Sequence, residues 1–255
     1  MEERLIRKVT EIGNGAHIFA PREWLDEEVV IIRIPKKDPK EEIIKLLRPY
    51  LDKVIASFLY GSYARNEQEK DSDIDIFVIS SEKLIIKAKG IEIMVIPEDK
   101  IEMAKKLNPV LFYSALQEAH PIINSSYIGN LRKEKIKLSY FKDFIKETKI
   151  AISSNEELVN LDKKTGKEVS ASVVYSLVLR LRGVFIISNL LNRKEYSKKE
   201  FKDWLDSNSI NYNTVYNVYR ALKNNKKPEE KILIQEIEPL MKLLANEIKK
   251  LERRT

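Results

Sequence analysis

The chain changes its hydrophobic rhythm twice. As far as Ile34 it reads as short strands and turns: Arg7-Lys8-Val9-Thr10 leads into Gly13-Asn14-Gly15, then Ala16-His17-Ile18-Phe19-Ala20, and a β-branched run occupies Val29 to Ile34. Two prolines bracket the charged stretch from Pro35 to Pro39, which predicts a linker. Lys40 to Arg48 then carries Ile43, Ile44 and Leu47 at helical spacing, with Pro49 as the stop. Apolar strands are predicted at Val54–Tyr60, Ile74–Ile79 and Ile91–Ile96, helices at Asp99–Leu107 and Pro109–Ala119, and a short strand at Pro121–Ile123.

Beyond Leu131 the strand signal stops. Helical periodicity marks Leu131–Ile152, Val169–Leu191, Lys198–Leu205, Tyr212–Lys223 and Glu229–Leu251, with breaks at Asn155, Gly166, Asn192 and Asn224-Asn225. Ser197 followed by Glu200 fits a capping box. The expected class is α+β: a small β module over residues 1–36, a central α/β domain with a mixed sheet over 37–130, and a helical bundle over 131–255.

Charge sharpens that division. Residues 1–130 carry a net charge of −3 and residues 131–255 a net charge of +10, so the helical half is where an anionic partner is expected. With no cysteine, disulfides and thiolate metal sites are excluded, and His17 and His120 are too far apart to form a histidine ligand pair. The N-terminus lacks the apolar core of a signal peptide and no later stretch approaches the roughly 18 apolar residues of a membrane span, so a cytoplasmic protein without a membrane partner is expected.

The most informative segment runs from Gly61 to Asp75, between two predicted strands. Gly61 lies where a strand ends and the chain must turn, and a residue without Cβ lets backbone N–H groups approach an anion; Ser62 adds a hydroxyl. Alone, a Gly-Ser pair after a strand is also what an ordinary tight turn looks like. Asp73 and Asp75 add weight, because alternate residues of a strand project to one side while Ile74 and Ile76 face the other. Two such carboxylates repel unless a cation intervenes, and Mg²⁺ suits hard oxygen ligands that leave room for phosphate. Glu92 interrupts an apolar strand and, if that strand lies beside the first, joins the same face; three acids permit a two-metal site. Taken alone, the Asp73 and Asp75 pair also fits a solvated loop edge, and Glu92 an edge-strand surface glutamate.

Gly61-Ser62, ten intervening residues and Asp73-Ile74-Asp75, together with Tyr63-Ala64-Arg65 and Ser72, resemble the signature of the DNA polymerase β-like nucleotidyltransferase superfamily, in particular its minimal prokaryotic and archaeal members. Asn66 departs from the glycine usual there. The resemblance covers about residues 40 to 125. It implies that a nucleoside triphosphate is the donor, that Gly61, Ser62, Arg65 and Ser72 line its phosphates, and that Asp73, Asp75 and Glu92 are the catalytic, Mg²⁺-holding acids. A nucleoside monophosphate would pass to an acceptor hydroxyl, with release of pyrophosphate; the acceptor, whether small molecule, protein or nucleic acid, is left open.

The flanks resemble other modules more loosely. Lys8 to Gly15 and Ala20 to Leu25 resemble AbrB-like β modules, which implies a homodimer contact more than DNA binding. The helical half resembles the HEPN-related or substrate-binding helical domains of nucleotidyltransferases, but no histidine follows His120, which removes a HEPN ribonuclease activity. Arg180 and Arg182 sit in an apolar helix, where they either reach the nucleotide or form ion pairs. Tyr212, Tyr216 and Tyr219 recur at helical spacing, as a packed face would require. The Lys-rich stretches from 133 to 149 and from 193 to 199 read as solvated faces. Two other readings remain open at this point: an antitoxin-like nucleotidyltransferase that acts through a partner, and a DNA-binding regulator.

Overall fold

The computed structural model describes residues 7, 9–31, 39–69, 72–165 and 168–254. The chain divides into two units, residues 1–37 and 38–255. In the first, β1 (Thr10–Ile12) and β2 (Gly15–His17) form an antiparallel hairpin with Thr10 opposite His17, followed by a 3₁₀ turn at Arg22–Trp24. None of its described residues is buried. The strand expected at Val29–Ile34 is not seen over Val29–Ile31, which bond to no strand among the described residues; Ile32–Ile34, and the linker as far as Asp38, lie outside the described residues.

In the second unit, α1 (Pro39–Leu47) buries Ile43 and Leu47 completely, one turn apart. A four-stranded sheet follows, built from β3 (Val54–Tyr60), β4 (Ile74–Ser80), β5 (Ile91–Pro97) and β6 (His120–Ile123) in the order β5-β4-β3-β6. The central strand β3 is antiparallel to β4 and β6, while β5 runs parallel to β4. A short helix, α2 (Gly61–Ala64), leaves the end of β3. Strand alternation divides the sheet cleanly: Leu59, Ile74, Ile76 and Val78 pack with Ile43 and Leu47, whereas Phe58, Phe77 and Ile79 pack towards the later helices.

Helices α3 (Ile101–Leu107), α4 (Pro109–Gln117) and α5 (Ser125–Arg132) complete the α/β part. Asn108 caps α4 by accepting from Leu111 N at 3.2 Å, and Asn124 caps α5 by accepting from Tyr127 N at 3.1 Å. The bundle comprises α6 (Lys142–Thr165), α7 (Ala171–Leu191), α8 (Lys198–Ser207), α9 (Tyr212–Lys223) and α10 (Ile234–Glu252). The helix expected at Leu131–Ile152 is split: α5 ends at Arg132, a 3₁₀ turn spans Leu138–Phe141, and α6 then runs straight through Asn155. Asn155 is buried and donates to Ser176 Oγ on α7 at 3.0 Å, so its amide is satisfied across the bundle and does not break the helix. At the start of α8, Ser197 Oγ accepts from Glu200 N at 3.3 Å.

By length and composition α7 is apolar enough to cross a membrane, contrary to the sequence expectation. Its apolar residues are used otherwise: Val173, Val174, Leu177, Val178, Leu181 and Ile187 are fully buried in a cluster that continues into Phe58 and Phe77 of the sheet. Gly183 lets α7 approach Phe144 of α6, since a Cβ there would lie 2.4 Å from the ring. The sheet and the helices around α7 thus share one core, which fixes the walls of the cleft between them.

Candidate active site

The site begins where β3 stops. Gly61 adopts φ +75°, and a Cβ at that position would lie 2.0 Å from Asp75 Oδ2, so glycine is required both by backbone conformation and by the closeness of the carboxylate. Asp75 stands opposite Tyr60 on β3 and opposite Glu92 on β5. Strand alternation puts Asp75 and Glu92 on the face of Phe77 and Met94, the face turned to the bundle, and Asp73 reaches the same cleft from just before β4. The sheet therefore brings the three predicted acids to one wall.

Burial raises the Asp75 carboxyl to about 6, and the neighbouring charge of Glu92 adds to the effect. Asp73 and Glu92 are exposed. Among the described residues no group of three or more His, Cys, Asp or Glu side chains is gathered closely enough to hold a metal by itself. Asp75 and Glu92 nevertheless suit a hard divalent cation in kind, since Mg²⁺ commonly takes one or two carboxylates and completes its shell with phosphate and water.

The connecting loop is held by its own polar groups. Asn66, which replaces the expected glycine, has φ +56°, a left-handed conformation that asparagine tolerates better than most residues. Ser62 and Ser72 both line the cleft, but Ser72 Oγ accepts from Glu69 N at 2.8 Å and so also holds the turn. Arg65 is more heavily engaged: Nη1 donates to Glu118 at 2.5 Å, Nε donates to Glu67 at 2.9 Å, and the guanidinium lies 5.0 Å from the Tyr196 ring centroid.

Glu118 was not among the residues predicted from sequence. It follows α4 directly, is buried, and also accepts from Gly61 N at 2.8 Å, so that amide is turned to Glu118. Burial raises its carboxyl, and Arg65 and the Gly61 amide oppose that. One signal was available: Glu118 is the only Asp, Glu, Lys or Arg between Lys106 and Arg132.

Helices α7, α8 and α9 and the segment before α8 supply the other wall, through Arg182, Tyr196, Lys198, Tyr216, Tyr219 and Lys223. Arg182 lies 5.0 Å from the Tyr196 centroid on its own account, and its buried Nε has no hydrogen-bond partner among the described residues. Lys198 and Arg220 both bind Glu69, at 2.5 and 2.6 Å, and the Lys198 bond holds the Glu69 carboxyl below its ordinary range. The charge of Lys223 acts on Asp75 across the cleft. Arg180, two residues before Arg182 and so on the opposite side of α7, pairs with Glu147 at 3.5 Å instead. Tyr212 and Tyr219 are buried, as a packed face requires, while Tyr216 stacks on Tyr212 at 4.7 Å and lines the cleft. The volume of the cleft is about 380 Å³, within the usual range for a small-ligand site.

Residues 41–131 match the family model of polymerase beta nucleotidyltransferases. This segment is a polymerase β-type nucleotidyltransferase domain. It contains all seven predicted site residues, whereas the cationic helical wall of the enzyme lies beyond its end. The chain is 27% identical over 81 residues to a Methanocaldococcus jannaschii protein named for protein adenylyltransferase activity, an overlap of 32% of this chain and 79% of that one. It also overlaps two solved structures. A nucleotidyltransferase-like protein from Exiguobacterium sibiricum has 12% identity and a TM-score of 0.38, over 84% of this chain and 75% of that one. The spectinomycin adenyltransferase of Enterococcus faecialis has 14% identity and a TM-score of 0.43, over 82% of this chain and 97% of that one. Both superpositions are too loose to transfer an acceptor.

Proposed function

We propose that this nucleotidyltransferase takes a nucleoside triphosphate with Mg²⁺ into the cleft and moves the nucleoside monophosphate to an acceptor hydroxyl. The observation that carries the reading is the pairing of Asp75 with Glu92 on one cleft wall, beside the Gly61 turn, with cationic side chains on the opposite wall. A carboxyl raised to about 6 by burial and a like charge is a group that a bound cation would stabilise.

Asp73 and Asp75 would hold Mg²⁺, with Glu92 beside them, and the ion would neutralise phosphate charge. The Ser62 hydroxyl lines the phosphate end of the cleft. Arg182 and Lys223 supply positive charge from the bundle, which favours the triphosphate and its leaving group. The acceptor oxygen bonds to the α-phosphorus, the bond from that phosphorus to the α–β bridging oxygen breaks, and pyrophosphate departs with the electron pair. Glu92 would receive the acceptor proton. Positioning and charge neutralisation supply most of the catalysis. Among acceptors, the name of the Methanocaldococcus relative favours a protein hydroxyl.

The N-terminal unit is assigned to self-association. Val30 is 89% and Phe19 73% exposed in a unit with no buried residue among those described, and so small a unit gains a core most readily by pairing with a second copy.

Calorimetric titration with ATP and Mg²⁺ tests the donor site. Asp73→Asn with Asp75→Asn should abolish Mg²⁺-dependent binding while the circular dichroism spectrum is retained. Unchanged affinity in the double variant would refute the assignment.

A further inference from the structure

A continuous run of charge-assisted hydrogen bonds crosses the catalytic turn and ends on the helical wall. Glu118 Oε1 accepts from Gly61 N at 2.8 Å and Oε2 from Arg65 Nη1 at 2.5 Å. Arg65 Nε donates to Glu67 Oε2 at 2.9 Å. The other oxygen of Glu67 accepts from Lys198 N at 2.8 Å and from Ser197 Oγ at 3.3 Å, the first groups of α8. The end of α4, the turn after β3 and the start of α8 are thereby joined through two carboxylates and one guanidinium. The Arg65 and Glu118 side chains are only 12% and 7% exposed, so solvent screens this pair little.

We propose that Glu118 and Arg65 are positioning residues, which clamp the Gly61–Ser62 turn against Asp75 and, through Glu67, hold the helical wall over it. Three observations support the assignment. The Gly61 amide is turned to Glu118, so the carboxylate sets where the turn begins. The Gly61 Cα lies so close to Asp75 that even a methyl group would collide, so any shift of the turn alters the surroundings of that carboxylate directly. The Arg65 charge is engaged by two carboxylates and by Tyr196, which assigns it to the architecture of the cleft in place of the phosphate contact expected from sequence.

The clamp is a structural claim. Its consequence for nucleotide affinity rests on the donor reading above, and two measurements separate the failures. The first is amide hydrogen exchange of the peptide spanning residues 58–66, which needs no ligand. Glu118→Ala should speed exchange at Gly61 at least about tenfold, since an amide loses its charged acceptor, and Glu118→Gln, which keeps an acceptor oxygen, should restore most of the protection. The second is Mg·ATP affinity, which should fall about 10- to 100-fold in Glu118→Ala and recover in large part in Glu118→Gln. Arg65→Ala, which leaves Glu118 in place, provides a second entry if Glu118→Ala fails to fold. It should weaken Mg·ATP and speed exchange at the start of α8 together.

Unchanged Gly61 exchange in a folded Glu118→Ala protein would overturn the clamp. Faster exchange with Mg·ATP affinity within twofold of wild type would reduce it to a fold-stabilising contact and overturn the positioning role. If wild-type protein does not bind Mg·ATP, the donor reading fails, and the exchange arm still decides the clamp.

Discussion

The two walls of the cleft solve opposite electrostatic problems. The sheet wall crowds like charges: Asp75 and Glu92 are register neighbours, and burial with mutual repulsion lifts Asp75 to about 6. The helical wall carries cations whose charge is already spread, with Lys198 and Arg220 sharing Glu69 and Arg182 lying by the face of Tyr196. One wall is thus left electrostatically frustrated and the other is satisfied apart from the buried Arg182 Nε. On the proposed reading a cation would gain most at the frustrated wall, and the better satisfied wall would meet a polyanion without much rearrangement of its paired groups.

Placing a methyl group in the frustrated wall should have the largest effect on that contrast. Gly61→Ala combines a left-handed backbone conformation with a collision against Asp75. It should cost about 1–3 kcal/mol in urea unfolding and remove Mg·ATP binding in calorimetry. The helical wall offers a neighbouring pair for comparison. Arg182→Ala should weaken Mg·ATP by about 10-fold, the value of one charge-assisted contact, while Arg180→Ala, directed to Glu147, should remain within about twofold.

A smaller effect follows from Asp75 itself. Its folded value of about 6 lies above the ordinary 3.8, so the folded state holds that proton more tightly than the unfolded chain does. The stabilisation is complete below the ordinary value and is lost as pH rises through about 6. The melting temperature of metal-free protein should therefore contain a component that declines across that window, and Asp75→Asn should remove it. Least affected should be nucleotide binding on removal of residues 1–37, with Mg·ATP affinity within about twofold and unfolding of the rest unchanged, because the shared core and the cleft lie in residues 38–255. The same truncation should abolish self-association in sedimentation.

The contrast also explains what could be read from sequence. The acids of the sheet wall were legible because strand geometry is local: a period of two fixes which residues share a face, and Glu92 needed only one further assumption, that β5 lies beside β4. The Asn66 departure was visible as well, and its positive φ shows why the loop tolerates it. The helical wall was less legible because Arg182, Tyr196, Lys198 and Lys223 come from separate elements, and only packing around α7 decides that Arg182 enters the cleft while Arg180 leaves it. Glu118 was missed because its role depends on a backbone amide 57 residues away. Asn155 misled for a related reason, since its partner, Ser176, lies on the next helix.

Nucleotidyl transfer is tested most directly by the fate of the two ends of the triphosphate. Purified protein is incubated with Mg²⁺ and cell extract, in parallel with ATP labelled at the α- or the γ-phosphate, and the other three triphosphates are used in the same way. The account predicts that for at least one base α-label becomes attached to an acceptor while γ-label appears in pyrophosphate, and that both signals vanish in Asp73→Asn with Asp75→Asn. Transfer of γ-label to the acceptor, or α-label transfer that persists in the double variant, would contradict it.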